Sequence, residues 1–412
     1  MTLALRCGFP PVASAGILVL WILLPASSLA WVGPAGGSAR RTTPGVPVSC
    51  SFQRSFRSCV SPPAGRSKTT AAAAAASRST APPAEEEVSK LESYEYDGWN
   101  LTYRTLASGD GSDSENETSG SGDHHNVLFV HPVGIGLSSW FWDPLLARIK
   151  DRNERQTTKG GGTTLRAYAP NLIGCGISEG SDAWDPDQRG LPLPLGWARG
   201  CEALMREIDD RDRGKTTGPP PSWTVVAQGG LAPVGLLLAA RNPATVQKLV
   251  LASPPTWGDM VTPVPASELE RNYGLLRSRI LGRLAFSILE KRPFIEFFSR
   301  LFLFTKDGES GRSEDCDIET WLDNTERELC GEARPPVWAF NAGLCQHRSF
   351  SDEFETIRET GTQELVVVQG ANDLRDRSGY VSNRAVGDLV VVPGATNVVP
   401  WERPSALVDL LG

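Results

Sequence analysis

Near-continuous apolar runs alternate with amphipathic stretches from about residue 91 to the C-terminus. The apolar runs predict buried strands, and the stretches with apolar residues at helical spacing predict helices. Around Asp97-Gly98 the sequence predicts a hairpin of two further strands. Alternating strands and helices are typical of a mostly parallel sheet covered on both faces, so we predict an α/β fold with an eight-stranded sheet flanked by helices. The strands expected after the hairpin cover residues 127–131, 165–170, 223–228, 246–252, 364–369 and 388–392.

One long segment interrupts this alternation. Residues 257–362 have no strand pattern, and they lie between the sixth and seventh predicted strands. The segment is therefore expected to form a helical cap over the carboxyl edge of the sheet, where open α/β sheets bind ligands. Residues 84–256 and 363–412 then form the two parts of the core. Helical patterns in the cap cover residues 273–289, 294–304, 318–329 and 338–344.

Charge sets the N-terminal part of the chain apart. Residues 1–82 contain eight of the 41 basic residues and none of the 48 acidic ones, so the remainder has a net charge of −15. An acidic body gives no support for nucleic-acid binding, which depends on Lys and Arg at the phosphates. The cysteines have neither zinc-site spacing nor the pattern of a disulfide framework. We therefore expect no metal and no cofactor.

The first thirty residues resemble a secretory signal peptide. Arg6 precedes an apolar run at 15–24, and small residues at 28–30 form a cleavage pattern. The run is shorter than the roughly 20 residues that a membrane span needs. Residues 31–83 are rich in Arg, Ser, Thr and Ala and free of acid, as in transit peptides. Together the two segments resemble the bipartite targeting sequences of algae with secondary plastids, which implies a plastid location; secretion with a disordered spacer is the alternative.

Short motifs follow the predicted strands in a fixed order. They are His131-Pro-Val-Gly134, Asn171-Leu-Ile-Gly-Cys-Gly-Ile-Ser178, Gln369-Gly-Ala-Asn-Asp373 and Val392-Pro-Gly-Ala-Thr-Asn397, the last followed by Glu402-Arg-Pro404. In this order they resemble the oxyanion loop, the D-L-x-G-x-G-x-S loop, the turn of the catalytic acid and the segment of the catalytic His in the α/β-hydrolase superfamily (AB hydrolase-1 type). The strand–turn–helix at 223–240 resembles the nucleophile elbow of that family. The whole pattern also resembles uncharacterised cyanobacterial and plastid hydrolase-like proteins.

The resemblance implies an incomplete catalytic triad. It places Gly229 at the nucleophile position, Asp373 at the acid position and Asn397 at the base position. Acyl transfer needs a nucleophile, a base and a carboxylate, whereas glycine has no side chain and an amide is not a base near neutral pH. Gly229 is expected to keep the left-handed turn of the elbow without strain. Only Asp373 is retained, and we expect the amide of Asn397 to hydrogen-bond its carboxylate.

Further site residues follow from the same resemblance. The backbone amides of Val133 and Gly230 correspond to the oxyanion donors and are expected to bind an anion or a carbonyl oxygen, with solvated loop amides as the alternative. Four side chains are candidate ligand contacts, each with a structural role in the loop or core as its alternative: His131, Gln228, Trp140 and Trp257.

These observations predict an α/β-hydrolase-like protein that is catalytically disabled and binds a small apolar ligand under its cap, or a protein partner. One alternative is an enzyme with a non-serine mechanism, an ester hydrolase or a lyase for example, in which Asp373 or Gln228 activates a water. Another is an interaction module whose cap surface docks on a partner.

Overall fold

The computed structural model describes residues 88–106, 124–158, 162–213, 222–304 and 318–411. The predicted signal peptide and transit-like segment lie outside these ranges. In the described ranges eight strands form one sheet, as predicted. The strands are β1 (Ser89–Tyr96), β2 (Trp99–Leu106), β3 (His124–Val130), β4 (Thr164–Pro170), β5 (Trp223–Gln228), β6 (Val246–Ala252), β7 (Glu364–Gly370) and β8 (Leu389–Val392).

The sheet has the order β1-β2-β4-β3-β5-β6-β7-β8. β2 pairs antiparallel with β1 and β4, and all other neighbours are parallel. The predicted hairpin is confirmed, because Asp97 (φ 49°) and Gly98 (φ 72°) form the left-handed turn that joins β1 to β2. β5 lies between β3 and β6 in the sheet. Its carboxyl end is therefore at the edge of the sheet where α/β folds bind ligands.

Helices cover both faces of the sheet. The longer core helices are α1 (Asp143–Thr158), α2 (Leu195–Arg213) and α3 (Ala232–Arg241), and the chain ends with the short helices α11 (Ser378–Ser382), α12 (Val399–Glu402) and α13 (Pro404–Val408). α1 and α13 contribute to the apolar cluster on one face, and α2 and α3 contribute to the cluster on the other. The flanking helices confirm the predicted α/β architecture.

A helical segment separates β6 from β7 and forms the predicted cap. Its helices are α4 (Trp257–Val261), α5 (Ala266–Leu276), α6 (Leu281–Leu289), α7 (Arg292–Phe302), α8 (Ile318–Arg327), α9 (Arg334–Asn341) and α10 (Ser351–Thr360). The expected continuous helix at 273–289 was wrong: α5 ends at Leu276, and the hydroxyl of Ser278 accepts the N–H of Leu281 at the start of α6. The last helix, α10, packs against α3 of the core. No described helix combines the length and hydrophobicity needed to cross a bilayer.

Candidate functional site

The site begins at the sharp turn between β5 and α3. Residues Gly229–Leu231 form a single 3-10 turn, and Gly229 has a φ of +60°. This left-handed conformation suits glycine, which lacks the Cβ that other residues would have to accommodate. A Cβ built on Gly229 has no heavy atom within 4 Å. The predicted turn is therefore present, and open space lies where a side chain at its apex would extend.

The next residue is covered by the cap. A Cβ built on Gly230 would lie 2.3 Å from Cζ and 2.5 Å from Cε2 of Phe340, which belongs to α9. The ring of Phe340 thus rests directly on the backbone of the turn. The sequence does not single out Phe340, because nothing in the pattern of α9 indicates which of its residues faces the elbow.

Two backbone amides flank the apex. Neither the N–H of Val133 nor that of Gly230 donates a hydrogen bond to another described residue. Both groups thus have free donor capacity, as an oxyanion-binding role requires. Their role as oxyanion donors remains a prediction.

His131 bridges two loops at the carboxyl edge of the sheet. Its Nε2 accepts the backbone N–H of Leu172 at 3.1 Å, which assigns the ring proton to Nδ1, and Nδ1 donates to the carbonyl oxygen of Pro132 at 2.9 Å. Burial lowers the pKa of His131 to about 4, although the hydrogen bond to Pro132 opposes this shift. The ring is therefore neutral near pH 7 and joins the loop after β3 to the loop after β4.

Gln228 and Asn397 meet beneath the turn. The Nε2 of Gln228 donates to the backbone carbonyl oxygen of Asn397 at 2.7 Å, which ties the end of β5 to the loop after β8. The Oε1 of Gln228 and the Oδ1 of Asn397 are buried and accept no hydrogen bond from the described residues. Gln228 therefore connects the end of β5 to the loop after β8 by a hydrogen bond, and its role as a ligand contact remains a prediction.

Asp373 does not pair with Asn397, which corrects the expectation from the sequence. Its Oδ2 accepts from Nη1 of Arg377 at 2.8 Å, and its Oδ1 accepts from the backbone N–H of Arg375 at 3.0 Å. The side chains of Arg377 and Asp373 are 0% and 5% exposed. A charged guanidinium is a stronger donor to a carboxylate than a neutral amide is, so Arg377 takes this position.

Arg377 is the site residue that sequence reasoning missed. Its Nε also donates to the carbonyl oxygen of Pro254 at 2.6 Å, so the guanidinium joins the loop after β7 to the loop after β6. Burial lowers the pKa of Arg377, and the charge of Asp373 opposes this shift. The available signal was the spacing of Asp373 and Arg377, four residues apart, although such spacing is common on protein surfaces.

The two candidate tryptophans have core contacts. Trp140 is 1% exposed and makes edge-on contacts with Trp321 of α8 and Trp401 of α12. The side chain is enclosed by other aromatic rings, and its role as a ligand contact remains a prediction. Trp257 is half-buried and packs on Phe354 and Tyr380. For Trp257 the proposed ligand contact remains a prediction.

The other three histidines lie away from the elbow. His125 pairs with the hydroxyls of Thr224 (2.7 Å) and Ser222 (3.2 Å), but these residues lie at the amino ends of β3 and β5, at the opposite edge of the sheet. His124 begins β3, and His347 is exposed in the cap. No imidazole is therefore placed at the apex of the turn within the described chain.

A buried polar network holds the loop after β4. Asn171 Nδ2 donates to Thr102 (2.8 Å) and to Glu179 (2.7 Å), and its Oδ1 accepts the N–H of Ser139 (2.7 Å). Arg104 pairs with Glu179 and lies 3.4 Å from Asp143. Burial raises the pKa of Asp143 to about 6, although Arg104 opposes the shift. The network fixes the loop beside His131.

Across the described ranges, no group of three or more His, Cys, Asp or Glu residues is arranged to hold a metal ion.

Comparisons with known proteins agree with this architecture. The model of the alpha/beta hydrolase family matches residues 127–410, which covers the sheet from β3 onward, the elbow and the cap. The chain therefore belongs to the α/β hydrolase family. A search of curated protein sequences finds no significant match.

Solved structures show the same fold at low sequence identity. A serine hydrolase involved in carbazole degradation, the CarC enzyme, is 12% identical with a TM-score of 0.50 over 78% of this chain and 96% of the other. A thioesterase domain from the curacin biosynthetic pathway is 13% identical with a TM-score of 0.50, over 79% of this chain and 99% of the other. A haloalkane dehalogenase, DbeA from Bradyrhizobium elkani, is 16% identical with a TM-score of 0.49, over 78% of this chain and 97% of the other. Such likeness concerns the fold alone.

Proposed function

We propose that this chain is a non-catalytic α/β-hydrolase-like protein that binds a small apolar ligand under its cap. The observation that carries the proposal is the state of Gly229, which has the left-handed φ of +60° and open space at its Cβ position. In this proposal the elbow keeps its backbone shape and has lost its reactive atom. Without a nucleophile and a base, at most ~10³–10⁴-fold acceleration remains in enzymes of this kind.

The retained polar residues have structural partners, which favours binding over an alternative chemistry. Both carboxylate oxygens of Asp373 accept a hydrogen bond, one of them from the buried Arg377, which gives the carboxylate a structural role. His131 is occupied through both ring nitrogens. These contacts speak against the alternative enzyme in the form in which Asp373 activates a water.

The ligand is proposed to lie in the open space at Gly229, beside the ring of Phe340 that covers Gly230. Its surroundings there are apolar, with the ring of Phe340 on the cap side and the buried Leu231 in the turn. The free amides of Val133 and Gly230 suit a single carbonyl oxygen or an anion. An apolar molecule with one such polar end therefore fits the site best, and a docked protein partner is the second candidate.

The proposal is tested on the purified full-length chain with a fluorophosphonate probe. The expected result is no serine labelling of the wild type, whereas Gly229→Ser/Asn397→His supplies the missing hydroxyl and imidazole and serves as the positive control. Stoichiometric labelling of the wild type on any serine would refute the proposal.

Ligand binding is tested by mass spectrometry of small molecules that co-purify from the native source and from expressed variants. Gly229→Leu fills the open space at the apex and is expected to remove the ligand. Gly361→Leu is the matched control, because Gly361 has a φ of +61° and equally open space but lies at the end of α10. Equal ligand loss in both variants, or no ligand in any sample, would contradict a binding site at the elbow.

We further propose that the protein works in a plastid. The support is the composition of residues 1–83, which resembles a signal peptide followed by a transit peptide. Residues 1–83 fused to a fluorescent protein should reach the plastid of an alga with secondary plastids, and deletion of residues 31–83 should divert the fusion to secretion. Secretion of the complete fusion would contradict the proposal.

A further inference from the structure

The corner between α5 and α6 exposes an aliphatic patch. Ile280, Leu281 and Leu284 are 78%, 57% and 59% exposed. Scattered exposed apolar residues are ordinary, but three within one helical turn form a contiguous surface. The opposite side of α6 packs inward through Phe286 and Leu289, which are 2% and 8% exposed. Helix α6 is therefore apolar on two sides, and only one of them is needed for the core.

The charge around this patch is opposite to that of the body. Residues 271–289 contain four arginines and no Asp or Glu, although the chain after residue 82 has a net charge of −15. Arg279 and Arg283 are exposed beside the aliphatic side chains and form no ion pair with a described residue. Arg277, in contrast, pairs with Asp187. The corner is a small basic and apolar surface on an acidic protein.

We propose that this corner, Arg279 to Leu284, docks on an anionic lipid surface. Aliphatic side chains flanked by arginine suit the membrane interface, where the chains enter the acyl boundary and the guanidinium groups bind phosphates. A second copy of the chain fits less well, because a symmetric contact would set these arginines against each other. Protein hot spots are enriched in Trp, Tyr and Arg and poor in Leu, whereas the apolar side chains of this patch are all aliphatic.

The helix that carries this corner also packs towards the part of the cap that covers the elbow. The inner side of α6 carries Phe286, whose ring centroid lies 6.3 Å from that of Trp338 in α9. The same helix α9 carries Phe340, which rests on Gly230. One ring contact and helix α9 therefore connect helix α6 to the turn. The inference does not depend on the proposed function, since an enzyme or a binder would dock in the same way.

The test uses site-specific photocrosslinking in the full-length chain. The photoreactive residue p-benzoylphenylalanine replaces Leu281 in one protein and Leu374 in another, because Leu374 is a single leucine elsewhere on the surface that is more exposed than Leu281 (77% against 57%). Each protein is irradiated with phosphatidylglycerol vesicles and with phosphatidylcholine vesicles. We expect lipid adducts at position 281, mainly with phosphatidylglycerol, and few at position 374. Comparison of the two positions cancels any attachment through the N-terminal apolar run.

The charge contribution is tested with Arg279→Gln/Arg283→Gln in the chain that carries the reporter at position 281. Each basic residue near an anionic surface contributes ~1 kcal/mol, about fivefold in affinity, so the adduct yield at limiting vesicle concentration should fall by more than tenfold. A reporter at position 284 repeats the measurement if the first variant does not fold. Equal lipid yields at positions 281 and 374 would overturn the proposal. Adducts at position 281 to a second copy or to another protein, without lipid, would also overturn it.

Discussion

The elbow turn requires glycine at two adjacent positions for different physical reasons. Alanine substitution at each position distinguishes backbone strain from steric overlap. Gly229 has a left-handed φ of +60° but free space around its Cβ position, so Gly229→Ala introduces backbone strain alone. A non-glycine residue in this region costs about 1 kcal/mol, the lower end of the range for strained backbone. Gly230 has no left-handed φ, but its Cβ would lie 2.3 Å from Phe340. Gly230→Ala therefore introduces overpacking, which costs about 1–3 kcal/mol.

The assay is the free energy of unfolding from urea titration, with Gly361→Ala as the control for backbone strain. Gly361 has nearly the same φ (+61°) and equally open space, so its alanine variant should lose about as much stability as Gly229→Ala. Phe340→Leu replaces the ring that covers Gly230 with a smaller aliphatic side chain. Combined with Gly230→Ala it should show a favourable coupling of about 1 kcal/mol, whereas its combination with Gly229→Ala should be additive.

Two outcomes would refute this reasoning. If Gly230→Ala and Phe340→Leu are additive, Phe340 does not rest on the turn. If Gly229→Ala costs several kcal/mol more than Gly361→Ala, the space at the apex is not open, and the basis of the proposed function fails with it.

Three further predictions concern ionisable side chains. Burial lowers the pKa of His131 to about 4, whereas the imidazole of the unfolded chain has a pKa of about 6.5. As the pH falls, the unfolded state therefore gains a proton first, and stability should drop by up to about 3 kcal/mol between pH 6.5 and 4. His131→Gln should flatten this part of the pH profile. Arg377→Met should cost about 3–5 kcal/mol in denaturant unfolding because it leaves Asp373 buried without its counter-ion, and Arg377→Met/Asp373→Asn should recover part of the loss. The pKa of Asp143 is raised to about 6, so its ionised form is disfavoured in the folded state. Asp143→Asn should therefore stabilise the protein at pH 8 and have no such effect below pH 4. A pH-independent effect of either the His131 or the Asp143 variant would contradict the shifted pKa of that group.

The sheet could be predicted because buried parallel strands are nearly continuous apolar runs. The strand predicted at 246–252 agrees with β6 residue for residue, and β5 ends at the turn where the sequence places Gly229. The break between α5 and α6 was missed, because helical spacing continues through residues 277–280 and nothing as strong as proline interrupts it. The end of a helix without such a breaker depends on how it packs in the cap.

The candidate site was less predictable because side-chain partners come from distant segments. Asn397 and Asp373 occupy neighbouring loops as the sequence implied, since the N–H of Asn372 donates to the carbonyl oxygen of Ala395 at 2.9 Å. The carboxylate nevertheless pairs with Arg377, because a guanidinium can reach it and satisfy the carbonyl of Pro254 at once. Local motifs identify which loops meet, but the choice among competing donors is decided in three dimensions.

The three tryptophans that enclose one another have a mechanical consequence for the cap. The centroids of Trp140, Trp321 and Trp401 are 5.0 to 5.7 Å apart with rings nearly perpendicular, and each indole N–H donates to an oxygen. Helix α8, which carries Trp321, is thus held against the core by these contacts. We therefore expect the cap to move less against the core at α8 than at the exposed corner between α5 and α6.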